Sequence, residues 1–257
     1  MNSRNSFKIL VLGQCIAGSV GIDEKASYPE LTRRFLSLRF PSLSFQVSVA
    51  PLLHPTGLQS LINSCLSSQP DVILISLPAI FASIPYHANH IYLQAPEVMQ
   101  VARRFVRLVE SKIRGDSALA KLFSKRSALM PTSVIAPLSV NEYERLVAEA
   151  IVSCQSASDC RLILLGPGGF NEDTEIPDLK SPELCSEVNR MILRVGEKFG
   201  IPVINAHDWA AGQGGKVFQR GNHRWNETTH EMMAREIESV IAAQLRALQP
   251  NGPAIAI

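Results

Sequence analysis

Short runs of aliphatic and β-branched residues alternate along this chain with longer stretches in which apolar positions recur every three or four residues. The short runs predict strands over Lys8–Leu12, Ser44–Ala50, Asp71–Leu77, Arg161–Leu165 and Pro202–Asn205. Each is mostly apolar, the composition of parallel strands buried on both faces. The longer stretches predict helices over Glu30–Arg39, Thr56–Ser67, Pro96–Arg114, Val140–Ser153, Pro182–Phe199 and Thr228–Leu248. In the third of these, Val98, Val101, Ala102, Phe105, Leu108 and Val109 fall on one face. Strand followed by helix, repeated, is the mark of βαβ units. The pattern predicts a doubly wound α/β fold: a three-layer α/β/α sandwich around a five-stranded parallel sheet.

Local start signals support the helices. Ser139-x-x-Glu142 and Thr228-x-x-Glu231 are capping-box patterns, and Pro182 suits a first helical position. Gly115–Pro137, with Lys121, Lys125 and Arg126 among small residues, reads as an excursion from the sheet. No internal repeat or linker interrupts the chain. Residues 1–248 are expected to form one domain, and 249–257, with Pro250, Gly252 and Pro253, a loosely held tail.

Composition narrows the function. With 257 residues, 46% of them hydrophobic, the chain can bury a substantial core. A net charge of +2 with scattered Lys and Arg provides no basic stripe for a phosphate backbone, so nucleic acid is not an expected partner. No apolar run has the length of a bilayer crossing and the N-terminus lacks a signal-peptide pattern, so no membrane association and a cytoplasmic location are expected. The five cysteines are widely spaced, without Cys-x-x-Cys or zinc-type clusters, and read as reduced thiols. No metal or cofactor is expected.

In open α/β sheets ligands bind beyond the carboxyl ends of the strands. After the first strand comes Gly13-Gln14-Cys15, and before the last helix comes Val217-Phe218-Gln219-Arg220-Gly221-Asn222-His223. This order, an apolar strand entering Gly-x-nucleophile and a histidine ahead of the final helix, resembles the SGNH, or GDSL, hydrolases. The resemblance implies a flavodoxin-like sheet of the SGNH type, with Cys15 in the place of the family's nucleophilic serine and His223 in that of its catalytic histidine. Gln14 takes the place of the motif's aspartate, and Arg220 that of the acid three residues before the histidine. Ala50, followed by Pro51, falls where the family has an oxyanion glycine, and Ile80 falls on its oxyanion asparagine.

These substitutions cut differently. A thiolate is an intrinsically good nucleophile, so Cys for Ser keeps the chemistry open. Arg220 cannot hold an imidazolium, whereas Asp208 after the last strand offers an anion from elsewhere. Pro51 has no N–H and Ile80 no side-chain donor, and one lost oxyanion donor typically costs about a hundred- to a thousand-fold in rate.

Two readings follow. One is an SGNH-like hydrolase or acyltransferase that uses Cys15 and His223 on a small-molecule or carrier-bound ester or thioester. The other is a catalytically degenerate member that binds a ligand or partner, with Cys15 an ordinary buried thiol. A nucleotide-binding domain using Gly13-x-x-x-x-Gly18 fits poorly, because the dinucleotide fingerprint is Gly-x-Gly-x-x-Gly. Gly166, Gly168 and Gly169 permit close backbone approach or simply form a turn. The loop Ile84–His90 is placed to act as a lid, and its His87-x-x-His90 spacing lacks a third metal ligand.

Overall fold

The computed structural model describes residues 6–13, 17, 22–52, 54–82, 86–87, 134–135, 138–168, 182–213, 216–218 and 225–248. The chain divides into two compact units, Met1–Ser83 with Leu138–Ile257, and Ile84–Pro137.

The larger unit holds a sheet of β1 (Ser6–Gly13), β2 (Ser44–Pro51), β3 (Val72–Ser76), β6 (Arg161–Leu165) and β7 (Val203–Ile204). Its order is β2-β1-β3-β6-β7, every pairing parallel, and this is the predicted five-stranded sheet. The smaller unit contains a two-stranded antiparallel ribbon of β4 (Tyr86–His87) and β5 (Val134–Ile135), which strand propensity did not reveal. The predicted helix Pro96–Arg114 lies outside the described residues.

Around the sheet stand α1 (Tyr28–Arg39), α2 (Leu58–Leu66), α3 (Val140–Ala157), α4 (Pro182–Phe199), a short α5 (Ala206–Gly212) that the periodicity missed, and α6 (Glu227–Leu248). Strand side chains alternate between faces. Phe7, Ile9, Val11 and Leu74 therefore pack with Tyr28 and Leu36 of α1 and Ile237 and Ile241 of α6. Leu10, Leu12, Ile73 and Ile75, all buried, point to the opposite layer, where α2 packs on α3 and α3 on α4. Full burial of such a side chain is worth roughly 1.5–3 kcal/mol, and the inner strands contribute it on both faces.

β2 departs from the expected strand type. It lies at the sheet edge, with Phe45 and Val47 packed on the core and Ser44, Gln46 and Ser48 exposed on the other face, so it is buried on one face rather than two.

The helix ends follow local chemistry. Ser139 Oγ accepts from the Glu142 N–H at 3.2 Å, as the capping pattern predicts, and α4 begins at Pro182. Thr228 is not the cap of α6: Asn226 is, its Oδ1 accepting from the Thr229 N–H at 2.9 Å, which leaves Thr228 inside the helix. At the other end of α4, Gly200 takes φ +64°, with Ile201 N–H donating to Gly196 O at 2.8 Å and Gly200 N–H to Glu197 O at 3.3 Å. That Schellman turn needs a left-handed residue, and glycine supplies it without a Cβ penalty.

Candidate functional site at the carboxyl edge of the sheet

β1 lies inside the sheet, and Gly13 is its last residue, paired with Pro51 of β2. A Cβ on Gly13 would stand 2.6 Å from the Ala17 Cβ and 3.2 Å from that of Ser76, so the close return of the chain over the strand end demands glycine. Ser76 ends β3 beside it and is half-buried. Gln14, Cys15, Arg220 and His223 lie outside the described residues, as do Gly18 and Gly169.

The residues on either side of the histidine block are described. Phe218 and Trp225 form an antiparallel bridge. Trp225 is buried, and its indole Nε1 lies only 2.0 Å from where a Cβ on Gly168 would be. Gly168 follows β6, so Trp225 sits at the same edge of the sheet that carries Gly13. Trp225 also packs against Tyr28, ring centroids 6.0 Å apart, and against His230 at 5.9 Å. The Tyr28 hydroxyl is fully buried; burial drives its pKa up, with the neighbouring Ser76 side chain pulling the other way. Ser76, Tyr28, Trp225 and His230 thus link the end of β3 and the start of α1 to the start of α6, and sequence reasoning singled out none of them for this role.

His230 is a structural histidine. Its Nδ1 accepts from the Tyr28 N–H at 3.1 Å, and burial lowers its pKa to about 4. It is therefore neutral near pH 7, with the proton on Nε2. His54, after β2, is also buried; its Nδ1 lies 2.9 Å from Thr56 Oγ1, and burial lowers its pKa, with Glu142 opposing.

The strand-end amides are already committed. Leu52 N–H donates to Gly13 O at 2.8 Å, Leu77 N–H to Leu165 O at 2.9 Å and Gly166 N–H to Ile204 O at 3.0 Å. Ala50 pairs with Leu12, and the following Pro51 has no N–H to offer. The end of β2 therefore supplies no backbone oxyanion donor at Pro51 or Leu52. Ile80 sits in a short 3₁₀ turn, Ala79–Ala82, after β3.

Asp208 lies in the first turn of α5. One carboxylate oxygen accepts from Asn205 Nδ2 at 2.7 Å and the other lies 3.1 Å from His207 Nδ1. His207 Nε2 is 3.3 Å from Ser186 Oγ, completing a Ser–His–Asp chain between α4 and α5. Ser186 is inside α4, where the helix ladder takes the backbone N–H groups beyond the first turn. These contacts tie α4 to α5.

Of the Ile84–His90 loop, only the backbone of Tyr86 and His87 is described, in the ribbon. Among the described residues no three His, Cys, Asp or Glu side chains are grouped to hold a metal ion, and no helix is long and apolar enough to cross a membrane.

Comparison with solved structures settles the fold. The lipase/acylhydrolase from Enterococcus faecalis matches 93% of this chain and 96% of its own at TM-score 0.61 and 15% identity. TesA matches 91% and 97% at TM-score 0.58 and 12% identity. The acetyl xylan esterase AlAXEase matches 91% and 100% at TM-score 0.57 and 13% identity. The fold is that of the SGNH/GDSL hydrolases. No protein-family model and no curated protein matches the chain.

Proposed function

We propose that this protein is an SGNH-type acyl hydrolase or acyltransferase of the cytoplasm, with Cys15 as nucleophile and His223 as base, acting on small-molecule or carrier-bound esters or thioesters. What supports this reading is that Gly13 closes an inner strand at the carboxyl edge, two positions before Cys15 in sequence, and that Trp225, two positions after His223 in sequence, is buried against Gly168 beyond the end of β6.

The chemistry is a two-step acyl transfer. The Cys15 thiol gives its proton to His223 and attacks the carbonyl carbon. Collapse of the tetrahedral adduct breaks the ester or thioester bond, and the imidazolium protonates the leaving group. Water or another acceptor, deprotonated by the same histidine, then attacks the acyl-cysteine thioester, releasing the acyl product and restoring the thiol.

The test is turnover on a panel of short-chain esters and acyl thioesters. Cys15→Ala is expected to abolish turnover and Cys15→Ser to reduce it; undiminished turnover in Cys15→Ala overturns the proposal.

A second reading has an observation of its own. Pro51 lacks an N–H and the Leu52 N–H is spent on Gly13, which favours a crevice that binds a ligand without hydrolysing it. In that case Cys15 alkylation would titrate near the ordinary thiol value of about 8.5, whereas a lower, His223-dependent midpoint belongs to the catalytic reading.

A further inference from the structure

At the opposite edge of the sheet, two thiols meet. Cys154, in the last turn of α3, is fully buried, and Cys160, just before β6, is partly exposed; their sulfurs are 3.3 Å apart. Ser158 holds the connection: its N–H donates to the Cys154 carbonyl at 3.0 Å, and its hydroxyl donates to the Cys160 sulfur at 3.0 Å. Cys160 lines a surface cavity of about 530 Å³ with Pro70, Asp71, Asp159, Arg161 and Leu245. Arg161 Nη1 is buried there without a hydrogen-bond partner among the described residues. This site is remote from the proposed acyl-transfer chemistry and does not depend on it.

We propose that Cys154 and Cys160 form a reversible dithiol–disulfide pair that is oxidised by low-molecular-weight disulfides entering this cavity. The geometry assigns the roles. Cys160 faces the cavity and is the attacking sulfur; Cys154 is enclosed and resolves.

The Cys160 thiolate attacks one sulfur of the small disulfide, forming a mixed disulfide and expelling one thiolate, which takes up a proton. Cys154, losing its own proton, then attacks the Cys160 sulfur, forming the intramolecular bond and expelling the second thiolate, which is protonated in turn. Two protein thiols are oxidised and one disulfide is reduced to two thiols.

Closing 3.3 Å to a bond of about 2.05 Å asks for small side-chain movements. The electrostatics agree with the roles. Hydrogen bonds from Cys154 and then Ser158 lower the Cys160 pKa, against the opposing effects of burial and Asp159. The same contact with Cys160, together with burial, raises that of Cys154.

The test equilibrates the purified full chain with oxidised and reduced glutathione over a range of ratios, then alkylates and digests it with trypsin. Both cysteines fall in one peptide, Leu146–Arg161. The expected result is loss of two hydrogens from that peptide and joint protection of both sulfurs from alkylation, reversed by reductant. Cys154→Ser is expected to accumulate the glutathione adduct at Cys160, while Cys160→Ser gains none at Cys154. Persistence of two alkylatable thiols in the wild-type chain under the most oxidising ratio overturns the proposal, and this needs no variant to fold. So does an alkylation profile of Cys160 that titrates at or above about 8.5, or one unchanged by Ser158→Ala, which should raise its midpoint.

Discussion

The backbone N–H of Tyr28 donates to Nδ1 of His230 at 3.1 Å, across 202 positions of sequence, and joins the start of α1 to the first turn of α6. The two rings also stack, centroids 5.7 Å apart and planes 19° from parallel. Only an unprotonated Nδ1 can accept this bond, so the contact requires the neutral ring.

Acid should therefore loosen the first and last helices. His230 has a folded-state pKa of about 4, against about 6.5 in an unfolded chain. The unfolded chain binds the proton more readily, so the stabilisation is complete above about pH 6.5 and declines as pH falls towards 4. The difference amounts to at most about 3 kcal/mol. His54, lowered by burial as well, acts in the same direction. Urea unfolding at pH 7.5 and pH 5 is expected to show the decline. His230→Asn, which keeps an acceptor near the Nδ1 position and removes the titration, is expected to lessen the pH dependence.

Gly168→Ala tests the packing of Trp225 on the turn after β6. The new Cβ would overlap Trp225 at Nε1, Cε2 and Cζ2, 2.0 to 2.7 Å away, and a buried indole has no flexible end to withdraw. Overpacking of this kind costs typically about 1–3 kcal/mol. A lowered urea midpoint and a shifted tryptophan emission are expected together. An unchanged emission spectrum would mean that Trp225 does not rest on this glycine.

The sequence was most legible where structure is local. Val72–Ile75 and Leu162–Leu165 are buried on both faces, so their strands stand out as unbroken apolar runs. Gly13 was visible because an apolar run stops at it. Tyr28, Ser76 and Trp225 were not, because their importance comes from partners far along the chain, and periodicity tells which face is buried without telling what it meets. One signal was available: His230 is a polar residue on the same stripe as Met233, Ala234, Ile237 and Ile241, and a histidine in an apolar stripe calls for a hydrogen-bond partner. Thr228-x-x-Glu231 fits the capping-box pattern and Asn226-x-x-Thr229 does not, and only the fold, which sets Asn226 against Lys216 and Phe218, shows that the cap lies two residues earlier.

That difference separates two neighbouring substitutions. Asn226 Oδ1 accepts from the Thr229 N–H and hydroxyl at 2.9 and 3.0 Å, and its Nδ2 donates to Lys216 O at 2.6 Å. Asn226→Ala removes the cap, for about 0.5–2 kcal/mol. Thr228 is exposed, and Thr228→Ala is expected to change stability by less than about 0.5 kcal/mol. Comparing the two unfolding midpoints checks the assignment; equal losses would overturn it.

The proposed acyl transfer makes its sharpest prediction where the site is poorest in donors. A tetrahedral oxyanion needs hydrogen bonds at the moment its charge develops, and these accelerate the chemical step without strengthening ground-state binding. Pro51 has none to give, Leu52 donates to Gly13 instead, and Ile80, in the turn after β3, has an alkyl side chain. Ile80→Asn introduces a side-chain amide where the SGNH resemblance puts an oxyanion asparagine. It is expected to raise kcat on a reactive ester about ten- to a hundred-fold with little change in KM, at or below the lower end of the hundred- to thousand-fold that a single preorganised donor is worth. Steady-state kinetics of the wild-type and Ile80→Asn proteins, each with its Cys15→Ala partner as blank, measure this directly. An increase that survives Cys15→Ala would assign the hydrolysis to another group, and no increase would mean that charge on the carbonyl oxygen is not met from this turn.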